Sequence, residues 1–111
     1  MKPFTENVIT VLRQIPEGRV MTYGNVARAA GSPRGARQVA RILHSMSRNH
    51  ELPWHRVINV KGQIALKEEA RVMDQKLMLE DEGIEVSDTG TVDLNTYQFY
   101  LDVILDEDDR P

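Results

Sequence analysis

Phe4, Val8, Val11, Leu12 and Ile15 recur at the three-and-four spacing of one helical face, which predicts an amphipathic first helix of about three turns. Pro16-Glu17-Gly18 ends it. After the short apolar link Val20-Met21, the Thr22 hydroxyl is placed to accept a backbone N–H of the next turn, so a second helix is expected from Tyr23 to a stop at Gly31. Ser32-Pro33 then reads as another start, a capping hydroxyl before a proline whose fixed φ suits the first helical position. The helix it opens is expected to run to about Ser47. Two helices of roughly eight and fifteen residues, joined by a tight turn at Gly31, outline a helix-turn-helix.

At about 100° per residue, Arg34, Arg37, Arg41 and Arg48 of that third helix fall within an arc of about 60°, with His44 beside them. Ala36, Val39, Ala40, Leu43 and Met46 take the other side, the face expected to be buried. Farther on, Val57 to Val60, Lys61-Gly62 and Gln63-Ile64 predict a strand, a turn and a return strand. Ala70, Met73 and Leu77 mark a helix from about Lys67 to Glu82, capped by Gly83. Ile84 and Val86 are expected to form a brief strand, Ser87 to Gly90 a polar turn, and Tyr97, Tyr100 and Ile104 a last short helix. The pattern as a whole predicts an α/β fold, mostly α: a winged-helix-like helix-turn-helix domain over residues 1–86 with a short two-stranded element. Residues 87–111 then form a C-terminal extension with an acidic tail, Asp106 to Asp109.

A chain of 111 residues suffices for one compact domain, and no apolar run approaches the ~20 residues of a membrane span. The N-terminal residues Met1 to Glu6 have too little apolar length for a secretory signal, so a cytoplasmic location without membrane partners is expected. There is no cysteine, and His44, His50 and His55 lack the spacing of a zinc motif, so neither a metal nor another cofactor is expected. The net charge of -3 hides an asymmetry. Up to Lys67 there are eleven Lys and Arg against three Asp and Glu, and from Glu68 onward three against fourteen. A basic half that carries a helix-turn-helix with its arginines on one face points to nucleic acid.

Three separated motifs carry a resemblance. Val20-Met21-Thr22-Tyr23-Gly24, Gly31-Ser32-Pro33-Arg34-Gly35-Ala36-Arg37-Gln38-Val39 and Leu52-Pro53-Trp54-His55-Arg56-Val57 resemble, in this order, the DNA-binding domain of O6-alkylguanine-DNA alkyltransferases. The likeness covers about Phe4 to Val86. Trp54 stands where that family's Pro-Cys-His-Arg-Val motif has its reactive cysteine, so the chain looks most like the alkyltransferase-like proteins, the family's non-enzymatic relatives. That branch also implies a protein without the separate N-terminal domain of many of the enzymes. A thiolate is the nucleophile of alkyl transfer, and without it the scaffold is expected to recognise a lesion without reacting.

The resemblance implies a helix entering the minor groove and a damaged nucleotide turned out of the duplex. Arg37 matches the arginine that fills the gap in the base stack, where a planar guanidinium stacks and donates at once. Tyr23 matches the tyrosine that crowds the target phosphate. Gly35 and Ala36 would let the helix approach the groove, with Thr22, Arg34 and Arg41 as further DNA contacts and Lys67 as a cation of the pocket lid. Trp54 would offer apolar surface and an indole N–H to the base. His55 and Glu82 match the general base and its orienting carboxylate, read here as a retained structural pair, with Arg56 bracing the loop.

The partners so implied are double-stranded DNA containing O6-alkylguanine and, by family analogy, nucleotide excision repair proteins, with the protein acting as a monomer. Two other readings remain open at this level. One is a glycosylase in which Glu51 or Glu82 activates water beside a flipped base. The other is a helix-turn-helix transcription regulator.

Overall fold

Helix α1 (Pro3–Gln14) follows its apolar period: Val8, Ile9, Val11 and Leu12 are buried, and Ile15 joins them just past the last turn. The computed structural model describes residues 3–102. Gly18, at φ +85°, carries the chain out of the Pro16-Glu17-Gly18 turn in the left-handed region that glycine adopts without strain. Strand β1 (Met21–Thr22) leads directly into α2 (Tyr23–Ala29), whose first turn is capped as expected, Thr22 Oγ1 accepting the Asn25 N–H at 3.1 Å.

Helix α3 (Ala36–His50) begins three residues later than Ser32-Pro33 predicts and ends three residues beyond Ser47. Ser32 contributes its backbone instead of its hydroxyl: its N–H donates to the Ala27 carbonyl and its own carbonyl accepts the Gly35 N–H, both at 2.9 Å. That turn closes the gap between α2 and α3 and leaves Arg34 in the turn, ahead of the helix. The buried side of α3 is Val39, Ile42 and Leu43, so the apolar face is rotated from the expected one. Ala40 is exposed and Ala36 half-buried. Together α1, α2 and α3 enclose the main core, onto which Phe4, Tyr23 and Trp54 also pack.

The two-stranded element exists but is built differently from the expected hairpin. Strand β2 (Val57–Ile58) pairs in parallel with β1, Met21 opposite Val57 and Thr22 opposite Ile58. Asn59 then folds the chain back, its Oδ1 accepting the N–H groups of Lys61 and Gln63. Gln63 O accepts the Asn59 N–H at 3.1 Å, Gln63 bridges to Thr91, and Ile64 N–H donates to Gly90 O, so the returning segment pairs with residues near Gly90 and not with β2.

Helix α4 (Glu69–Asp81) lies where it is predicted, and Gly83 at φ +85° terminates it. Its phase differs. Met73 and Leu77 are 52% and 53% exposed, while Gln75 and Leu79 are buried. Leu79, Val20, Ile58, Ile84, Val86 and Val92 form a second apolar cluster; Ile84 and Val86 belong to it without forming a strand. Val20 bridges to Gln98 and donates to Tyr97 O, so the segment after α5 (Leu94–Tyr97) is held against β1. The last helix is thus only four residues long, with Tyr100 beyond it. Ile104 and the acidic run Asp106 to Asp109 lie outside the described residues. Among the described residues, no helix is long and apolar enough to cross a membrane.

Candidate nucleic-acid interface and base pocket

The Pro53-Trp54-His55-Arg56 segment forms a single 3-10 turn (Trp54–Arg56) that leads into β2, and polar groups on both sides clamp it. From α4, the buried Gln75 donates through Nε2 to the carbonyls of His55 at 2.9 Å and Val57 at 3.1 Å. A buried glutamine is tolerable there because it satisfies two carbonyls that would otherwise lose their water unrepaid. From the end of α4, Glu82 accepts from Arg56 and His55, and from the Gly18 N–H at 2.8 Å. Arg56 Nη1 also donates to Ile15 O at 3.0 Å. The Trp54 turn, the end of α1 and the end of α4 are thereby tied at one carboxylate.

Burial alone would raise the Glu82 pKa, but the hydrogen bonds from Arg56, His55 and Gly18 outweigh it and lower it from 4.5 to about 2. Glu82 is therefore a fixed anion and a poor acceptor of protons at neutral pH. His55, expected as its partner, meets it through Nε2 at 2.5 Å. The other ring nitrogen, Nδ1, is buried without a hydrogen-bond partner. Glu51, the other carboxylate considered for activating water, caps α3 in a left-handed conformation and does not line the cavity described next.

Between α3 and the Trp54 turn lies a cavity of about 440 Å³. Tyr23 from the start of α2, Arg37 from the first turn of α3 and Trp54 border it together. Ala36, Ala40 and Leu43, one helical ridge, form its α3 wall, which explains why two alanines at the margin of the apolar face stay uncovered by the core. Arg71 of α4 closes another side, its guanidinium carbon 5.7 Å from the centre of the Trp54 ring, a cation–π distance. Burial raises the pKa of the half-buried Tyr23, with the Arg71 charge pulling it down in part, so its phenol remains a neutral hydrogen-bond donor.

Arg34, Arg37, Arg41, His44 and Arg48 are all exposed along one side of α3 and the turn before it, Arg37 and His44 at the margin of the cavity. Among the described residues none of these arginines has a carboxylate within ion-pair distance. The surroundings of three further expected contact residues differ. Thr22 is only 5% exposed and spends its hydroxyl on the α2 cap, so it supports Tyr23 from behind. Gly35 is buried; a Cβ there would lie 2.8 Å from the Phe4 ring, so packing against α1 accounts for the glycine. Lys67 is exposed and does not border this cavity, and the cation over Trp54 is Arg71.

Arg71 and Gln75 were not legible as site residues. A faint signal for Arg71 was available, since only Arg71, Lys76 and Arg110 are basic after Lys67. For Gln75, four residues on and one turn away, the sequence offers none.

A helix-turn-helix whose second helix carries an uncompensated basic face, beside a base-sized cavity walled by Trp54, defines a DNA-binding domain of the alkyltransferase type. The chain belongs to the family described as "6-O-methylguanine DNA methyltransferase, DNA binding domain", which it matches over residues 3–84. It is similar to a DNA base-flipping protein of Vibrio parahaemolyticus, 45% identical over 100 residues that cover 89% of this chain and 98% of that one. It is also similar to alkyltransferase-like protein 1 of Schizosaccharomyces pombe, 40% identical over 90 residues, 80% and 83% of the two chains. Among solved structures, S. pombe Atl1 in complex with damaged DNA containing O6-carboxymethylguanine matches with a TM-score of 0.82 at 36% identity, covering 91% of this chain and 98% of that one. Mycobacterium tuberculosis O6-methylguanine methyltransferase matches with a TM-score of 0.62 at 25% identity, over 86% of this chain but 55% of the enzyme. The alkyltransferase-like resemblance read from the motifs is met by both kinds of comparison.

Proposed function

We propose that this protein recognises O6-alkylguanine in duplex DNA by turning the nucleotide out of the helix and holding it, without transferring the alkyl group. The observation that carries this reading is the convergence of Tyr23, Arg37 and Trp54, from three separate elements, on one cavity of about 440 Å³. α3 lies in the minor groove, with Arg34, Arg41 and Arg48 toward phosphates. Arg37 occupies the vacated place in the stack, Tyr23 presses on the target phosphate, and the base rests against Trp54. Extrusion costs a few kcal/mol, and stacking in the pocket returns about 1–3 kcal/mol, so the near-even balance leaves room for selectivity from small contacts. Burying one alkyl carbon against Trp54 adds on the order of 0.8 kcal/mol.

The pocket lacks a nucleophile. The chain has no cysteine, and His55 and Glu82 are bound to each other and to Arg56 as a brace for the Trp54 turn. The protein is accordingly not an enzyme. It acts as a cytoplasmic monomer that marks the lesion for nucleotide excision repair. Incubation with a duplex carrying an isotopically labelled O6-methyl group tests the reading. Label is expected to stay on DNA that the protein retains; label on the protein, or guanine restored in the DNA, refutes it.

A further inference from the structure

Met73 and Leu77, one turn apart on α4, each leave half of their surface in solvent. Ala70, also exposed, precedes them on the same ridge. At about 100° per residue, the Met73–Leu77 pair points about 140° away from Arg71, the α4 residue that borders the base pocket. The ridge is turned away from that pocket. On the same helical projection Glu69 and Glu80 flank it on one side and Asp74 and Asp81 on the other, all four exposed. Among the described residues none of these carboxylates has a cation within ion-pair distance, the half-buried Lys76 of the same helix included. Glu80 also borders a cleft of about 690 Å³ at the end of the ridge, where Glu85 and Asp93 add two more carboxylates.

An exposed apolar pair is ordinary by itself. A ridge fenced by unpaired carboxylates and ending at an acidic cleft is matched by one chemistry. We infer that the outer face of α4 docks a partner protein through an amphipathic helix, its apolar strip on Met73 and Leu77 and its flanking lysines or arginines against the carboxylates. A base near one end of that helix meets Glu80 and Glu85 at the cleft. This adds a protein partner to the lesion reading and does not depend on it. A second copy of this chain does not fit: the same face would oppose carboxylate to carboxylate, and the basic helix α3 keeps its apolar side, Val39, Ile42 and Leu43, buried in its own core. The acidic run Asp106 to Asp109 carries the wrong sign, and nucleic acid is repelled for the same reason.

The test uses the full chain without DNA and a fluorescent synthetic peptide of about four helical turns, with leucines along one face and lysines on both flanks of it. Its anisotropy near 0.1 M salt is compared with that of a peptide of the same composition in scrambled order, and of one with glutamate in place of lysine. The ordered basic peptide is expected to bind at least about tenfold tighter than the scrambled one, and the acidic one not to bind. Met73→Ser/Leu77→Ser, at exposed positions, should weaken the ordered peptide about tenfold and Asp74→Asn/Glu80→Gln about threefold, with affinity for an O6-methylguanine duplex unchanged and the fold checked by circular dichroism. Equal binding of ordered and scrambled peptides leaves only net charge and overturns the inference. So does an affinity indifferent to Met73 and Leu77, a matching loss of duplex affinity, or no binding at all. Sedimentation covers the remaining occupant: dimers of the free chain that Met73→Ser/Leu77→Ser dissolves would make the ridge a self-contact and refute the partner.

Discussion

Glu82 accepts three hydrogen-bond contacts from Arg56: Nε reaches both carboxylate oxygens, at 2.9 and 3.0 Å, and Nη2 reaches one at 2.8 Å. Because the folded protein holds this carboxyl near 2 against an ordinary 4.5, its contribution to stability is complete above pH 4.5 and disappears as pH falls through 2. Glu82→Gln is expected to cost about 3 kcal/mol at pH 7, the usual penalty for removing one member of a buried pair. In urea unfolding the two proteins should converge as pH approaches 2. A loss at pH 7 within about 0.5 kcal/mol would show that the cluster does not hold the fold.

Gln75→Leu keeps the volume of the buried side chain and strips two carbonyls of their donor. Unfolding free energy is expected to drop by about 2 kcal/mol. Because those carbonyls belong to His55 and Val57, on either side of Arg56, amide hydrogen exchange should speed up first around the Trp54 turn. Uniform acceleration across the chain would mean that Gln75 is an ordinary core residue.

Arg37 borders the base cavity and Arg41 does not, although both are exposed on α3. Arg37→Ala should reduce the preference for O6-methylguanine over guanine about tenfold, as expected for a lost stacking contact. Arg41→Ala should weaken both duplexes alike and lower the slope of log affinity against log salt by about one. Equal behaviour of the two variants in a titration at two salt concentrations would abolish this division of labour.

Arg71 and Lys67 compete for the role of pocket cation. With Arg71 over Trp54 and Lys67 away from the cavity, Arg71→Ala should weaken lesion binding about fivefold and Lys67→Ala by less than about twofold. Fluorescence of Trp54, the only tryptophan, gives a second readout: its emission should change in the free Arg71 variant and not in the Lys67 one. The opposite ranking would place the functional cation on the loop before α4.

Features governed by neighbours in sequence were legible. The α1 period, the Thr22 cap, the Gly31 and Gly83 stops and the basic side of α3 depend on interactions within a turn or two, and the structure has all of them. The start of α3 was misread because Ser32 has two ways to satisfy nearby backbone groups, and closing the turn onto Ala27 wins over capping. The phase of α4 was misread for a longer-range reason. Apolar residues lie on more than one side of it, and the side that faces inward is chosen by the carbonyls of His55 and Val57, which only Gln75 reaches.

The residues along the chain therefore settled the family, the missing nucleophile and the arginines that face outward, because each of these is a property of a short motif. Tertiary structure decided the rest. Pairing Met21 with Val57 brings Tyr23 and Trp54 to one cavity, and packing α4 against the Trp54 turn brings Arg71 over the indole and Glu82 under Arg56. Those partners lie 17 to 36 residues apart in sequence, so no local pattern encodes their meeting. It follows from burying Val57, Ile58 and Leu79 in shared cores, where packing is satisfied by few arrangements of the whole chain.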